Sequence, residues 1–156
     1  MVETRTAITA PAGDLIIREA LIDDVGAAIR LDELNTGLAK PDYWRDMFER
    51  YGARENRIFL VSEIEGSVRG FIIGEVRAWE FGSPPCGWIF ALGVDPQFRL
   101  LGIGTNLFAA ICQYFRDVGV DKIRTMLAVD DMLNLSFFRS QGLMGGPFIE
   151  LEMPLD

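Results

Sequence analysis

The chain has 156 residues, of which 49% are hydrophobic and 24% charged, a composition typical of one folded globular domain. Its formal net charge of -8 argues against general affinity for nucleic acid, which requires clustered lysine and arginine. Its apolar runs are shorter than the roughly 20 residues of a membrane span, so no membrane association is expected. The absence of histidine excludes a histidine general base, a Ser-His-Asp triad and a histidine-ligated zinc site, and no metal is expected.

The N-terminal residues 1–14 lack the basic start and apolar centre of a signal peptide. They are interpreted as a flexible tail of a cytoplasmic protein, followed by one domain over residues 15–156. Cys112 falls on the apolar side of a predicted helix and is interpreted as a core residue. Cys86 lies in a Pro-Pro-Cys-Gly loop, where it could be exposed, but no histidine is present to activate it. Covalent catalysis is therefore disfavoured.

The first half of the chain alternates short strands with two helices. A strand is predicted at residues 15–20, and a helix over 25–31 follows Asp23 and Asp24, whose charges suit a helix start. Pro41 opens a second helix, in which aromatic residues recur at helical spacing. Residues 58–64 and 68–76 flank Glu65-Gly66-Ser67, which predicts an antiparallel hairpin. Residues 80–87 are predicted as a loop, and the almost wholly apolar 88–94 as a strand buried on both faces.

The second half continues this mixture. Apolar residues at a period of 3.6 predict a helix over 105–118, ended by Gly119, before a strand at 122–129. A short helix through Gln141 and an alternating strand at 148–153 complete the order β-α-α-β-β-β-α-β-α-β. Hairpins combined with crossover helices indicate an α+β fold whose sheet is covered on both faces.

The most informative segment is Val94-Asp95-Pro96-Gln97-Phe98-Arg99-Leu100-Leu101-Gly102-Ile103-Gly104. An apolar strand ends here at a proline turn, and two close glycines precede a helix. Glycine lets the backbone N–H groups approach a ligand closely, and the first helical turn offers unpaired donors at the positive end of the dipole. The segment is therefore predicted to bind an anion, and a pyrophosphate suits it well.

Arg99, Gly102 and Gly104, preceded by Val94-x-Pro96, fill a pattern that resembles the acyl-CoA-binding segment of the GNAT (Gcn5-related) N-acetyltransferases. The resemblance covers about residues 15–156. It implies α/β/α layers around a mixed, mostly antiparallel sheet with strands four and five splayed. It also implies acetyl-CoA as cosubstrate and transfer of its acetyl group to a primary amine, by direct attack in a ternary complex.

The resemblance further implies which residues hold the cosubstrate. The backbone of the fourth strand would pair with the pantetheine arm, and the following loop would surround the pyrophosphate. Two residues of the last predicted helix complete the expected cofactor site. The full set is Leu92, Gly93, Val94, Arg99, Leu100, Leu101, Gly102, Ile103, Gly104, Thr105, Asn134 and Phe138.

The catalytic residues depart from the family pattern. Phe138 stands where the family usually has the tyrosine that protonates the leaving thiolate, so the expected acid is Ser136, Asn134 through a water, or solvent itself. Asp131 and Leu143 also replace the usual asparagine and phenylalanine. For the base, Glu80 is the predicted residue, with Glu75 as a further carboxylate candidate.

Two other functions are considered. A non-catalytic acyl-CoA-binding regulatory module would explain the missing tyrosine, and a dinucleotide-binding domain would also use a glycine loop. Leu107 stands at the third glycine position of the dinucleotide motif, which disfavours the latter. The acceptor is expected to be a small-molecule or protein amine. A homodimer is possible, since the shortened C-terminal sheet leaves an edge that a second copy could cover.

Overall fold

The computed structural model describes residues 15–52, 54–78 and 80–156, so the predicted tail at 1–14 lies outside the described residues. The contacts between residues divide the chain after Thr125 into two compact units, each of which is described by itself.

The first unit is built on a five-stranded sheet. Its strands lie in the order β1-β2-β3-β4-β5, antiparallel except for the parallel pair β4 and β5. This confirms the mixed, mostly antiparallel sheet expected from the sequence. The elements are β1 (Leu15–Glu19), α1 (Val25–Thr36), α2 (Pro41–Tyr51), β2 (Arg57–Ile64), β3 (Ser67–Arg77), β4 (Cys86–Val94), α3 (Ile103–Asp117) and β5 (Ile123–Thr125).

One face of this sheet is covered by α1 and α2. Gly37 ends α1 in the left-handed conformation (φ 77°), and Pro41 starts α2, where a missing N–H costs nothing. The Trp44 indole of α2 is 2% exposed and meets the Phe71 ring edge-on, with 4.8 Å between ring centroids. The buried cluster on this face comprises Ala20, Val25, Ala28, Leu31, Trp44, Phe59, Val61, Phe71 and Ile73.

The opposite face is covered by α3, which approaches the sheet closely. Its residues at every fourth position, Ile103, Leu107, Ile111 and Phe115, are at most 1% exposed. They lie over glycines of β3 and β4: a Cβ on Gly70 would stand 2.8 Å from Ile103, and one on Gly87 would stand 2.6 Å from the Phe115 ring. Glycine is required here because the helix occupies the space that a side chain would fill.

Three expectations are corrected in this unit. Cys86 is not an exposed loop residue but begins β4, where it is 3% exposed and accepts a hydrogen bond from Arg124. The fifth strand spans Ile123–Thr125 and not 122–129, because β4 offers it a partner only at Gly87–Ile89. The helix predicted from residue 105 already begins at Ile103. Cys112 is half-buried, and burial raises the pKa of its thiol, which disfavours a thiolate nucleophile.

The second unit, Met126–Asp156, contains α4 (Met132–Ser140). The predicted strand at 148–153 is wrong, because residues 141–156 pair with no strand and carry no regular secondary structure. Its alternating apolar side chains are left in solvent: Ile149, Leu151 and Met153 are 84%, 84% and 75% exposed. A strand forms only where its backbone groups find a partner. The homodimer that could supply one stays a prediction.

Candidate functional site

The site is shaped by a bulge in the middle of β4. Against β3, Ala91 lies opposite Ile73 and Ile89 lies opposite Gly74, so Phe90 is an extra residue. On its other side, β4 pairs with β5 only from Gly87 to Ile89. The bulge therefore falls where the pairing of β4 with β5 ends, as the predicted splay of strands four and five requires.

The bulge also decides which backbone groups of β4 point away from β3. The Asp95 N–H donates to the Arg69 carbonyl at 2.8 Å, and in an antiparallel ladder such bonded pairs occur at every second residue. Ala91 and Gly93 consequently direct their N–H and C=O groups at β3, whereas Leu92 and Val94 direct theirs away from it. We call the N–H and C=O groups of Leu92 and Val94 the outward row.

The requirement for glycine at position 93 is explained by packing against a side chain of β3. A Cβ on this residue would lie 2.5 Å from the ring of Phe71, its partner in β3. The glycine is thus needed to accommodate the Phe71 ring. Its proposed contribution to cofactor binding stays a prediction.

After β4, the chain turns through a short 3-10 helix, Pro96–Leu101. The Asp95 carboxylate caps it by accepting from the Gln97 N–H at 3.0 Å, and it also binds the Arg69 guanidinium at 3.1 Å. That guanidinium lies over the Phe98 ring, 4.4 Å from its centroid. This network anchors the turn to β3. Arg69 had not been predicted, because its partner Asp95 is 26 residues away in sequence.

Gly102 connects this turn to α3 in the left-handed conformation, with φ 75°. No side chain caps the start of α3, and the N–H groups of a helix's first turn have no acceptor within the helix itself. Ile103 is fully buried against Gly70, whereas Leu100 is 100% exposed. Leu101 and Gly104 are half-buried and Thr105 is exposed. The loop residues that are predicted to bind an anion are thus held in place by one buried side chain, that of Ile103.

Arg99 is exposed on the turn, and its guanidinium donates to the Asn35 side-chain oxygen on α1. The Asn35 amide in turn donates to the Val94 carbonyl at 3.2 Å. Asn35 was missed by sequence reasoning, since 59 residues separate it from Val94 and 64 from Arg99.

Glu75, the further carboxylate candidate, is held between two arginines on the α2 side of the sheet. Its carboxylate oxygens lie 3.0 Å from Arg77 Nε and 3.5 Å from Arg57 Nε. Tyr51 of α2 adjoins this cluster, since the guanidinium carbon of Arg57 lies over its ring, 5.4 Å from the ring centroid. Burial raises the pKa of the Tyr51 phenol, and the negative charge of Glu75 adds to the effect, so the phenol stays protonated at neutral pH.

The predicted acid–base residues are placed as follows. The Glu80 side chain lies outside the described part of the chain, so its predicted role stays a prediction. In the second unit, Asp131 caps α4 by accepting from the Asn134 N–H at 3.2 Å, and it binds the Asn134 side-chain amide at 2.9 Å. Ser136 is exposed and Phe138 is buried.

Among the described residues, no helix has the length and hydrophobicity to cross a membrane. Within the same part of the chain, no cluster of three or more acidic or cysteine side chains forms a candidate metal site.

Comparison with known proteins agrees with the geometry of the first unit. The family model described as "Acetyltransferase (GNAT) family" matches residues 27–143. A mycothiol acetyltransferase of Sanguibacter keddieii is 34% identical over 85 residues, which are 54% of this chain and 27% of that protein. An N-alpha-acetyltransferase of Sulfurisphaera tokodaii is 29% identical over 109 residues, 65% of this chain and 63% of the relative. The chain thus matches about a quarter of the first relative and less than two thirds of the second.

Among solved structures, an aminoglycoside N-acetyltransferase in complex with CoA has a TM-score of 0.79 at 16% identity. The superposition covers 94% of this chain and 99% of that structure. At 16% identity, this similarity is evidence for the fold alone. It agrees with the order of strands and helices described above.

Proposed function

The chain belongs to the GNAT acetyltransferase family, and from that premise we propose that it transfers an acetyl group from acetyl-CoA to a primary amine by direct attack in a ternary complex. The observation that carries this proposal is the outward row of Leu92 and Val94, which leads through one turn into the uncapped start of α3. These backbone donors and acceptors suit a ligand that has an extended, strand-like arm joined to an anionic group.

The first part of the proposal is cosubstrate binding. Leu92 and Val94 pair through their outward row with the amides of the extended pantetheine arm, and Gly93 lies between them. The loop residues surround the pyrophosphate, with N–H donors from the start of α3 and the positive charge of Arg99 nearby. These loop residues are Arg99, Leu100, Leu101, Gly102, Ile103, Gly104 and Thr105. Asn134 and Phe138 complete the proposed site.

The second part is the transfer itself. The neutral amine attacks the thioester carbonyl carbon, the new C–N bond forms and the C–S bond breaks. A backbone N–H in the stretch from Leu92 to Val94 stabilises the negative charge that develops on the carbonyl oxygen. Before the attack, Glu80 accepts a proton from the bound ammonium and so generates the neutral amine; the second proton, lost from nitrogen as the amide forms, goes to solvent. Ser136, or a water held by Asn134, returns a proton to the leaving thiolate, since Phe138 carries no hydroxyl.

Loss of the tyrosine is compatible with turnover. A thiol has an ordinary pKa of about 8.5, so its thiolate is a tolerable leaving group at neutral pH. Orientation of the two substrates then supplies much of the rate enhancement. We therefore expect a slower reaction than a hydroxyl at position 138 would support.

The acceptor is proposed to be a small-molecule amine or the amino group of a protein. The relatives are named for aminoglycoside, mycothiol and N-alpha acetylation, which supports an amine in each case. The net charge of -8 would attract cationic amines to this chain.

The experiment is a two-step one. Titration calorimetry with acetyl-CoA measures binding, and release of free CoA thiol measures turnover with a panel of aminoglycosides, small diamines and peptides with free N-termini. A reaction without acceptor corrects for hydrolysis. Binding together with acceptor-dependent thiol release supports the proposal, and absence of both overturns it.

The alternative, a non-catalytic acyl-CoA-binding module, is favoured by one observation, the buried phenylalanine at position 138. It predicts binding of acetyl-CoA without thiol release with any acceptor. The Phe138→Tyr variant separates the two further, because a restored hydroxyl speeds an existing transfer but does not create one.

A further inference from the structure

The side-chain amide of Asn35 joins three elements of the first unit. Asn35 lies in the last turn of α1, where its nitrogen donates to the Leu31 carbonyl at 2.7 Å. The same nitrogen donates to the Val94 carbonyl at the end of β4 at 3.2 Å. Its oxygen accepts from the Arg99 guanidinium on the turn that follows. The N–H groups of this one amide thus bond the helix and the strand, and its oxygen bonds the turn.

The bond to Val94 reaches a group that belongs to the outward row. A carbonyl oxygen has two lone pairs, so Asn35 takes one and leaves the other for a strand-like ligand. The bond fixes the direction of the last carbonyl in the row, beyond the point where β5 supports β4. A carbonyl without that bond would have to be ordered when the ligand binds.

We call the outward row and the loop residues 99–105 together the groove. The bond to Arg99 acts on the loop part of this groove. A guanidinium presents five N–H donors, and the bond to Asn35 occupies only part of that fork. An exposed arginine otherwise loses rotamer freedom when it meets an anion, which weakens binding. Held by Asn35, the Arg99 side chain has already lost much of that freedom, and its charge stays beside the turn.

We infer that Asn35 is a positioning residue for the cosubstrate: it holds the Val94 carbonyl and the Arg99 guanidinium in one fixed arrangement along the groove. This inference rests on the proposed function. It assigns to the end of α1 a part in acetyl-CoA binding and none in the transfer of the acetyl group. Aspartate cannot replace the amide, because a carboxylate accepts but does not donate to the Val94 carbonyl.

The variant that tests this is Asn35→Ala. Asn35 is exposed and alanine favours a helix more than asparagine does, so the variant is expected to fold. Gln113→Ala is the matched control, because it removes another exposed amide whose hydrogen bond, to Asp117 at 2.8 Å, stays within α3. Thermal unfolding of both variants checks their folding.

Affinity and steady-state kinetics are then measured. For Asn35→Ala, we expect the Kd and KM for acetyl-CoA to rise roughly 3- to 10-fold, which corresponds to losing one pre-ordered side chain. The kcat and the KM for the acceptor should stay within about twofold, because a residue that only orders the groove does not enter the transition state. Gln113→Ala should match the wild-type chain in every measurement.

A second ligand distinguishes the effect of the Asn35–Val94 bond on affinity from the effect of the Asn35–Arg99 bond. S-acetylpantetheine lacks the pyrophosphate, so Arg99→Ala should leave its affinity unchanged, while Asn35→Ala should still weaken it through Val94. On acetyl-CoA, the double variant should lose less affinity than the two single variants lose together, because the effect of Asn35 through Arg99 is already lost in Arg99→Ala, whereas its effect through Val94 remains.

Two results overturn the inference. One is an Asn35→Ala variant that binds acetyl-CoA as the wild-type chain does. The other is full additivity of Asn35→Ala and Arg99→Ala, which would mean that Arg99 meets the phosphates without help from Asn35. Failure of the wild-type chain to bind acetyl-CoA would instead overturn the proposed function, and the inference with it.

Discussion

The two halves of β4 differ in what surrounds them. Residues 87–89 have strands on both sides, β3 and β5, and the Phe115 ring lies against Gly87. Residues 91–94 pair with β3 alone, and the outward row lies on their other side. In the proposed function, one strand therefore serves stability before its bulge and ligand recognition after it. A single extra residue, Phe90, is enough to separate the two regions.

The largest effect is expected in the half with two partners. In Gly87→Val, the new Cβ would stand 2.6 Å from the ring of Phe115, which is 1% exposed and has little room to move. Overpacking of this kind should cost about 3 kcal/mol of unfolding free energy, measured by guanidinium denaturation. Gly145→Val is the control, since nothing lies within 4 Å of its Cβ position. Equal stability of the two variants would contradict the packing described for α3.

Proline substitutions at residues 91 and 92 should distinguish the N–H groups of β4 that face β3 from those that face away from it. Ala91→Pro removes an N–H that faces β3, leaves a ladder acceptor unpaired, and should cost about 2 kcal/mol of stability. Leu92→Pro removes an N–H of the outward row, and should cost less stability but weaken acetyl-CoA binding roughly tenfold or more. Denaturation and calorimetry on both variants test this. Equal stability losses would show that the assignment of the row is wrong.

A smaller effect is expected at the turn that follows this half. Gly102→Ala forces a side chain to adopt φ 75°, which should cost about 1–2 kcal/mol and weaken acetyl-CoA binding as the start of α3 shifts. Gly26→Ala is the control within α1, where nothing lies within 4 Å and alanine should stabilise the helix slightly. Both changes are read from denaturation midpoints. Gain of stability at position 102 would contradict the left-handed geometry.

The smallest effect is expected far from β4, at the ion pair of Arg18 and Asp24. The Arg18 guanidinium donates to the Asp24 carboxylate at 2.7 Å and lowers its pKa below the usual value, against the opposing effect of burial. The resulting stabilisation is complete above the unfolded-state pKa of about 4 and is lost as the pH falls through the lower folded-state pKa. Asp24→Asn should cost about 1 kcal/mol at pH 7 and flatten that acid dependence.

Acetyl-CoA binding should not change in Asp24→Asn, because the pair lies at β1, the opposite edge of the sheet from β5. Unfolding curves from pH 7 to pH 3 measure the stability, and calorimetry measures the binding. An unaltered pH profile would show that the ion pair contributes nothing to stability.

The sequence predicted the features that depend on local periodicity. The apolar period of 3.6 located α3, and Glu65-Gly66-Ser67 located the hairpin of β2 and β3, because both signals lie within a few residues. The glycine and proline pattern predicted the turn before α3 for the same reason. Leu92 and Val94 lie in β4 beyond the end of its pairing with β5, and their contact with the cosubstrate stays a prediction.

The remaining features depend on partners distant in sequence. Apolar and polar residues alternate over 148–153, which predicts a strand. This pattern does not show whether a partner strand is present, and the segment is irregular. Cys86 is buried because Phe115 and β5 support the strand that it begins, which its Pro-Pro-Cys-Gly setting does not reveal. Asn35 is an ordinary helix residue in its local sequence. Its partners become evident only when α1 and β4 are assembled.

The outward row consists of main-chain atoms, which every residue except proline carries in the same form. Substitutions at positions 92 and 94 can therefore accumulate without deleting a single donor or acceptor from it. Insertions and deletions are different, because removing the one residue of the bulge would exchange the groups facing β3 with those facing away. For descendants of this chain, length within β4 is thus a stricter constraint than residue identity.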